Sequence, residues 1–60
     1  MDKPKRILIV DDDRLICTSI ANVARTLGCE SSSALTLREG IGALEAEPYD
    51  VVFLDVNMPD

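Results

Sequence analysis

Aspartates stand at the carboxyl ends of the two most apolar runs in this chain. Ile7–Val10 leads into Asp11-Asp12-Asp13, and Val51–Leu54 leads into Asp55. Taken singly, such acids are ambiguous, because aspartate opens turns and caps helix N-termini. Brought together, they have a more specific chemistry. Crowded carboxylates either shift their pKa values or take up a cation. With no histidine in the chain and no CxxC spacing, an oxygen-only donor set suits a hard cation. Mg²⁺ fits best, since it needs only a few carboxylates and keeps several waters. An aspartate beside such a cation is a competent nucleophile towards phosphorus. Whether the acids meet depends on the elements that carry them.

Composition narrows the alternatives. Sixty residues make at most one small domain, whose core supplies only about 3–5 kcal/mol unless something staples it. Cys17 and Cys29 are twelve residues apart, which matches neither zinc-ligand nor redox spacing. They read as reduced, small hydrophobes in a cytoplasmic chain. The net charge of −5 argues against direct contact with nucleic acid, whose phosphates call for a basic face. The apolar run after "MDKPKR" is too short for a signal peptide or a membrane span. Without histidine, this chain carries no Ser/His/Asp triad, Cys–His pair or phosphohistidine.

The elements alternate. "RILIVD" (6–11) reads as a β-branched strand. "DRLICTSIANVARTLG" has helical periodicity, with Ile16, Ile20, Val23 and Leu27 on one face. Asp13 is its expected N-cap, and Gly28 sits where a helix end favours positive φ. "CESSSA" (29–34) reads as a weak strand. "TLRE" (36–39) is a capping box that opens a second helix, with Leu37, Ile41 and Leu44 inward and Pro48 beyond its end. Gly40 and Gly42 weaken that helix by up to about 1 kcal/mol each relative to alanine. "YDVVFLD" (49–55) lacks polar alternation, which predicts a strand covered on both faces.

The order is therefore β-α-β-α-β. The first and third strands are apolar and belong in the middle of a sheet, whereas the serine-rich second tolerates an edge. Right-handed crossovers then give a parallel sheet of order 2-1-3 with one helix on each face. Strands one and three lie side by side, and their carboxyl ends bring Asp11, Asp12 and Asp55 to one crevice. Glu39, Glu45, Glu47, Arg14, Arg25 and Arg38 read as solvated helix faces, and Tyr49 and Phe53 as packing residues.

At "ILIVDDD" and "VVFLDVNMPD" the sequence resembles the receiver domain of two-component response regulators. The D-x-x-M-P pattern after an apolar strand, set 43 residues beyond Asp12, carries most of that likeness. The resemblance implies a flavodoxin-like, doubly wound α/β fold. It implies that residues 1–60 correspond to the N-terminal half of the domain, with the family's Ser/Thr, Lys and switch aromatic lying further on. Asp55 would be the phosphoacceptor, taking its phosphoryl group from a histidine kinase. Asp11, Asp12 and Asp55, with the backbone carbonyl of Asn57, would hold Mg²⁺, while Met58 and Pro59 shape the loop. The module would be no enzyme beyond assisting its own phosphorylation and dephosphorylation, and it would control an output domain, expected to be transcriptional. Asp13 followed by Arg14 is most similar to regulators that act with the alternative sigma factor, sigma-54.

Two other readings remain open at this point. One is an aspartate-nucleophile phosphohydrolase. The other is a receiver fragment that only binds proteins, self-associating through the exposed edge of Val51–Leu54.

Overall fold

The structure is a computed structural model that describes residues 3–57. β1 (Arg6–Val10), α1 (Arg14–Thr26), β2 (Glu30–Ala34), α2 (Leu37–Ala46) and β3 (Val51–Leu54) follow in that order. The three strands form one parallel sheet of order β2-β1-β3. This is the expected arrangement, although β2 starts one residue late and β3 is shorter than 49–55.

The register fixes the chemistry. Val10 pairs with Ala34 on one side and with Leu54 on the other. One residue further, the Asp11 N–H donates to the Ala34 carbonyl and the Asp55 N–H to the Val10 carbonyl, both at 3.0 Å. Asp11 and Asp55 thus leave the sheet side by side.

Side chains alternate across β1, so the sheet has two cores. Ile7 and Ile9 pack with Cys17 and Ala24 of α1, while Leu8 and Val10 pack with Ala34 and with Ala43 of α2. The helices therefore cover opposite faces, as the crossover argument requires.

The local signals hold well. Asp13 caps α1 by accepting the Leu15 N–H at 2.9 Å. At the other end, Gly28 has φ +81°. Its N–H reaches the Arg25 carbonyl and the Cys29 N–H the Ala24 carbonyl, a Schellman ending that needs the left-handed conformation glycine accepts freely. Thr36 caps α2 through the Glu39 N–H at 3.0 Å, and the Glu39 carboxylate returns to the Leu35 N–H.

Three expectations need correction. The inward stripe of α1 is not Ile16, Ile20, Val23 and Leu27. Val23 and Leu27 are 60 % and 73 % exposed, and the buried line is Cys17 and Ala24 with Ile20 and Ala21 beside it. α2 likewise buries Gly40 and packs Ala43, while Leu37, Ile41 and Leu44 stay largely exposed. In both cases the helix lies on β1 and β2, and small residues let the backbones approach closely. Nor is β3 covered on both faces. Its four residues are 40–51 % exposed, because among the described residues neither helix packs over it.

Glu47 is exposed, as a solvated face requires, and it has a charged partner there. It pairs with Arg6, whose guanidinium also lies 3.8 Å from Glu30 and 4.9 Å from the centre of the Tyr49 ring. The hydrogen bond from Arg6 to Glu47 raises the guanidinium's pKa further above its ordinary value. The Arg6 backbone N–H donates to the Asp50 carboxylate at 2.8 Å. One side chain thus ties β1, β2, α2 and the approach to β3 at the amino end of the sheet. Tyr49, expected to pack, is half-buried against Leu8, Val10 and Ala34. Among the described residues no helix is long and apolar enough to cross a membrane.

Candidate functional site

β1 and β3 carry the acids. Each is pinned by ladder hydrogen bonds up to its last residue, and each then releases an acid at the same height. One carboxylate oxygen from each of Asp11, Asp12 and Asp55 lies within 4.8 Å of the others. Asp11 is buried, Asp55 half-buried and Asp12 exposed. All three acids expected to meet therefore do meet.

Hydrogen bonds orient them. The Asp11 carboxylate accepts the Asp13 N–H at 2.9 Å, and the Asp55 carboxylate accepts the Asn57 N–H at 3.0 Å. Asn57 thus joins the site through its amide, in the turn that follows β3. Met58 and Pro59, assigned to shape the loop, lie outside the described residues.

The electrostatics are one-sided. Like charges this close repel, least where the exposed Asp12 is screened by water. Among the described residues the only ion pairs are those of Arg6, roughly 16 Å away at the other end of a five-residue strand. An apolar cleft of about 280 Å³, lined by Ile9, Ile16, Ile20 and Phe53 together with Asp11 and Asp55, adjoins the acids. A larger cleft of about 590 Å³ opens near Arg6, Arg25 and Tyr49 but contains none of the three. The larger cleft thus lies at the opposite end of the sheet from the convergent acids.

An oxygen-only set of three carboxylates fits a small hard cation, which would relieve this repulsion. One further contact reaches the backbone of the acid site. Cys17, taken as a filler, directs its thiol at the Asp11 carbonyl, 3.4 Å away. Nothing in its spacing signals that contact.

The family profile described as "Response regulator receiver domain" matches residues 7–60. Among curated proteins the chain is 40 % identical over 55 residues to the transcriptional regulatory protein BasR of Escherichia coli, covering 92 % of this chain and 25 % of that protein. It is 40 % identical over 55 residues to the transcriptional regulatory protein PrrA of Mycobacterium leprae, covering 90 % of this chain and 23 % of the relative. It is 31 % identical over 58 residues to the hybrid signal transduction histidine kinase L of Dictyostelium discoideum, covering 92 % and 3 %. The chain thus spans a quarter or less of the length of these relatives. No solved structure matches at a comparable level. With a partial flavodoxin-like sheet of order 2-1-3, three acids converging at its carboxyl edge and a profile match over nearly its whole length, the chain belongs to the response regulator receiver domain family.

Proposed function

We propose that this chain is a phosphoacceptor module of a two-component system, with Asp55 as the residue phosphorylated. The observation that carries the reading is the convergence of Asp11, Asp12 and Asp55 from two adjacent strand ends. In the transfer, an Asp55 carboxylate oxygen bonds to phosphorus as the P–N bond of a kinase phosphohistidine breaks, and the released imidazole nitrogen takes a proton from solvent. Asp11, Asp12 and Asp55, with the Asn57 carbonyl, would hold Mg²⁺. Bound there, the ion supplies charge neutralisation for the transferring phosphoryl oxygens. Asp11 and Asp12 hold the cation site in place, and the Asn57 N–H orients the Asp55 carboxylate.

The partners follow from the same reading: a histidine kinase as donor, and an attached or separate output domain as receiver of the signal. A transcriptional output is supported by the names of two relatives, both transcriptional regulatory proteins, and a cytoplasmic location suits such a role. A sigma-54-type regulator rests only on Asp13-Arg14. The module does no catalysis beyond its own phosphorylation and dephosphorylation. A phosphohydrolase is disfavoured, because the place two residues after the nucleophile is Asn57, which cannot protonate a leaving group. Self-association through β3 is a second reading, favoured by its half-exposed apolar residues.

The test is intact-mass analysis after incubation with acetyl phosphate and Mg²⁺, beside Asp55→Asn. A phosphoryl adduct that requires both Mg²⁺ and Asp55 is expected. An adduct of equal yield on Asp55→Asn would overturn the assignment.

A further inference from the structure

Asp11 is held at three of its polar atoms. Its N–H donates to the Ala34 carbonyl, its carboxylate accepts the Asp13 N–H, and its own carbonyl accepts the Cys17 thiol. The first bond extends the sheet and the second is a local turn. The third is different, because it comes across from α1.

In a trans peptide the carbonyl of one residue and the N–H of the next point opposite ways in one plane. Fixing the Asp11 carbonyl therefore fixes the rotation of the whole Asp11–Asp12 peptide. That rotation sets the direction in which the Asp12 side chain leaves the backbone relative to Asp11. Both carboxylates must point correctly to lie within 4.8 Å of each other and of Asp55.

Cys17 is well placed to do this. It is 4 % exposed and packed in the cluster of Ile7, Ile9 and Ala24, so the thiol has little freedom to turn elsewhere. Its backbone is anchored in turn, because the Cys17 N–H donates to the Asp13 carbonyl at 3.1 Å. We propose that Cys17 is a positioning residue for the acid site, its buried thiol locking the Asp11–Asp12 peptide so that both carboxylates face the cation position. The proposal rests on the reading that these acids hold a divalent cation. The competing account is that Cys17 only fills space, and valine or alanine would then serve as well.

Two measurements on the full chain separate these accounts. The first is the Mg²⁺ dissociation constant, by titration calorimetry, of the wild type, Cys17→Ser and Cys17→Val. Serine keeps a donor in a smaller side chain, whereas valine keeps bulk without a donor. A thiol is a weak donor, so Cys17→Val is expected to weaken Mg²⁺ binding roughly two- to fivefold, the lower part of what one neutral hydrogen bond contributes. Cys17→Ser is expected to stay within about twofold of the wild type, since its hydroxyl can replace the donor. The second measurement is the S–H stretch in the infrared, from the wild type minus Cys17→Ser difference spectrum. A band below the frequency of a free thiol is expected.

Equal Mg²⁺ affinities for the serine and valine variants, or an unshifted S–H band, would overturn the positioning role. If the wild type binds no Mg²⁺ although its S–H band is shifted, the cation reading fails, and the positioning role falls with it. An unshifted band in a protein that does bind Mg²⁺ removes the positioning role alone.

Discussion

Asp11 and Asp12 are neighbours in sequence and unlike in environment. Asp11 is 8 % exposed and tied into the sheet, while Asp12 is open to solvent. Removing Asp12 therefore breaks no packing, and it relieves repulsion among three crowded carboxylates. Asp12→Ala is expected to unfold at the same temperature as the wild type or higher when no cation is present. In the wild type, Mg²⁺ at a hundred times its dissociation constant should add about 2.7 kcal/mol of stability, and this rise should vanish in Asp12→Ala. Thermal melts with and without Mg²⁺ decide the matter, and a full Mg²⁺ response in the variant would exclude Asp12 as a ligand. This part of the site was legible in the sequence because acids at strand ends need only the strand order to be brought together. The Cys17 contact was not legible, because a thiol–carbonyl bond leaves no trace in spacing or composition.

The elements and their caps were legible for local reasons. Asp13, Gly28, Thr36 and Glu39 act within one turn of chain, and each does in the structure what its type suggests. The helix faces were not, because apolar periodicity marks large residues, whereas small ones such as Cys17, Ala24, Gly40 and Ala43 pack on the sheet. Gly40 shows why. A Cβ built there would lie 2.9 Å from one Val10 methyl and 3.2 Å from the other, whereas one at Gly42 meets nothing within 4 Å. Val10 is β-branched and 2 % exposed, so it cannot easily give way. Gly40→Ala should therefore cost about 1–3 kcal/mol through overpacking. Gly42→Ala should gain up to about 1 kcal/mol from helix propensity. Urea unfolding of the two variants checks both signs. Equal gains would mean that α2 is not seated on Val10.

At the scale of the whole molecule, the sheet is polarised in two directions. Along the strands, Arg6 gathers the ion pairs at the amino end and the crowded acids occupy the carboxyl end. Across the strands, one edge is β2, with Glu30 and three serines, and the other is β3, with Val51, Val52, Phe53 and Leu54. The reading of β3 as a central strand followed from its composition. Its exposure arises because, among the described residues, it pairs only with β1 and neither helix packs over it. An apolar, unpaired edge is a template for another strand, whereas polar and charged residues blunt the opposite one. If the 60-residue chain associates, β3 is therefore the edge it should use. Sedimentation velocity should show the average mass of the wild type rising with concentration. Val52→Lys should stay monomeric over the same range, because a lysine on an edge strand opposes pairing at little cost to the fold. A wild type that remains monomeric would show that the exposed face of β3 is too small to hold two copies together. Association that survives Val52→Lys would place the contact elsewhere, most plainly on the exposed side of α1 formed by Val23 and Leu27.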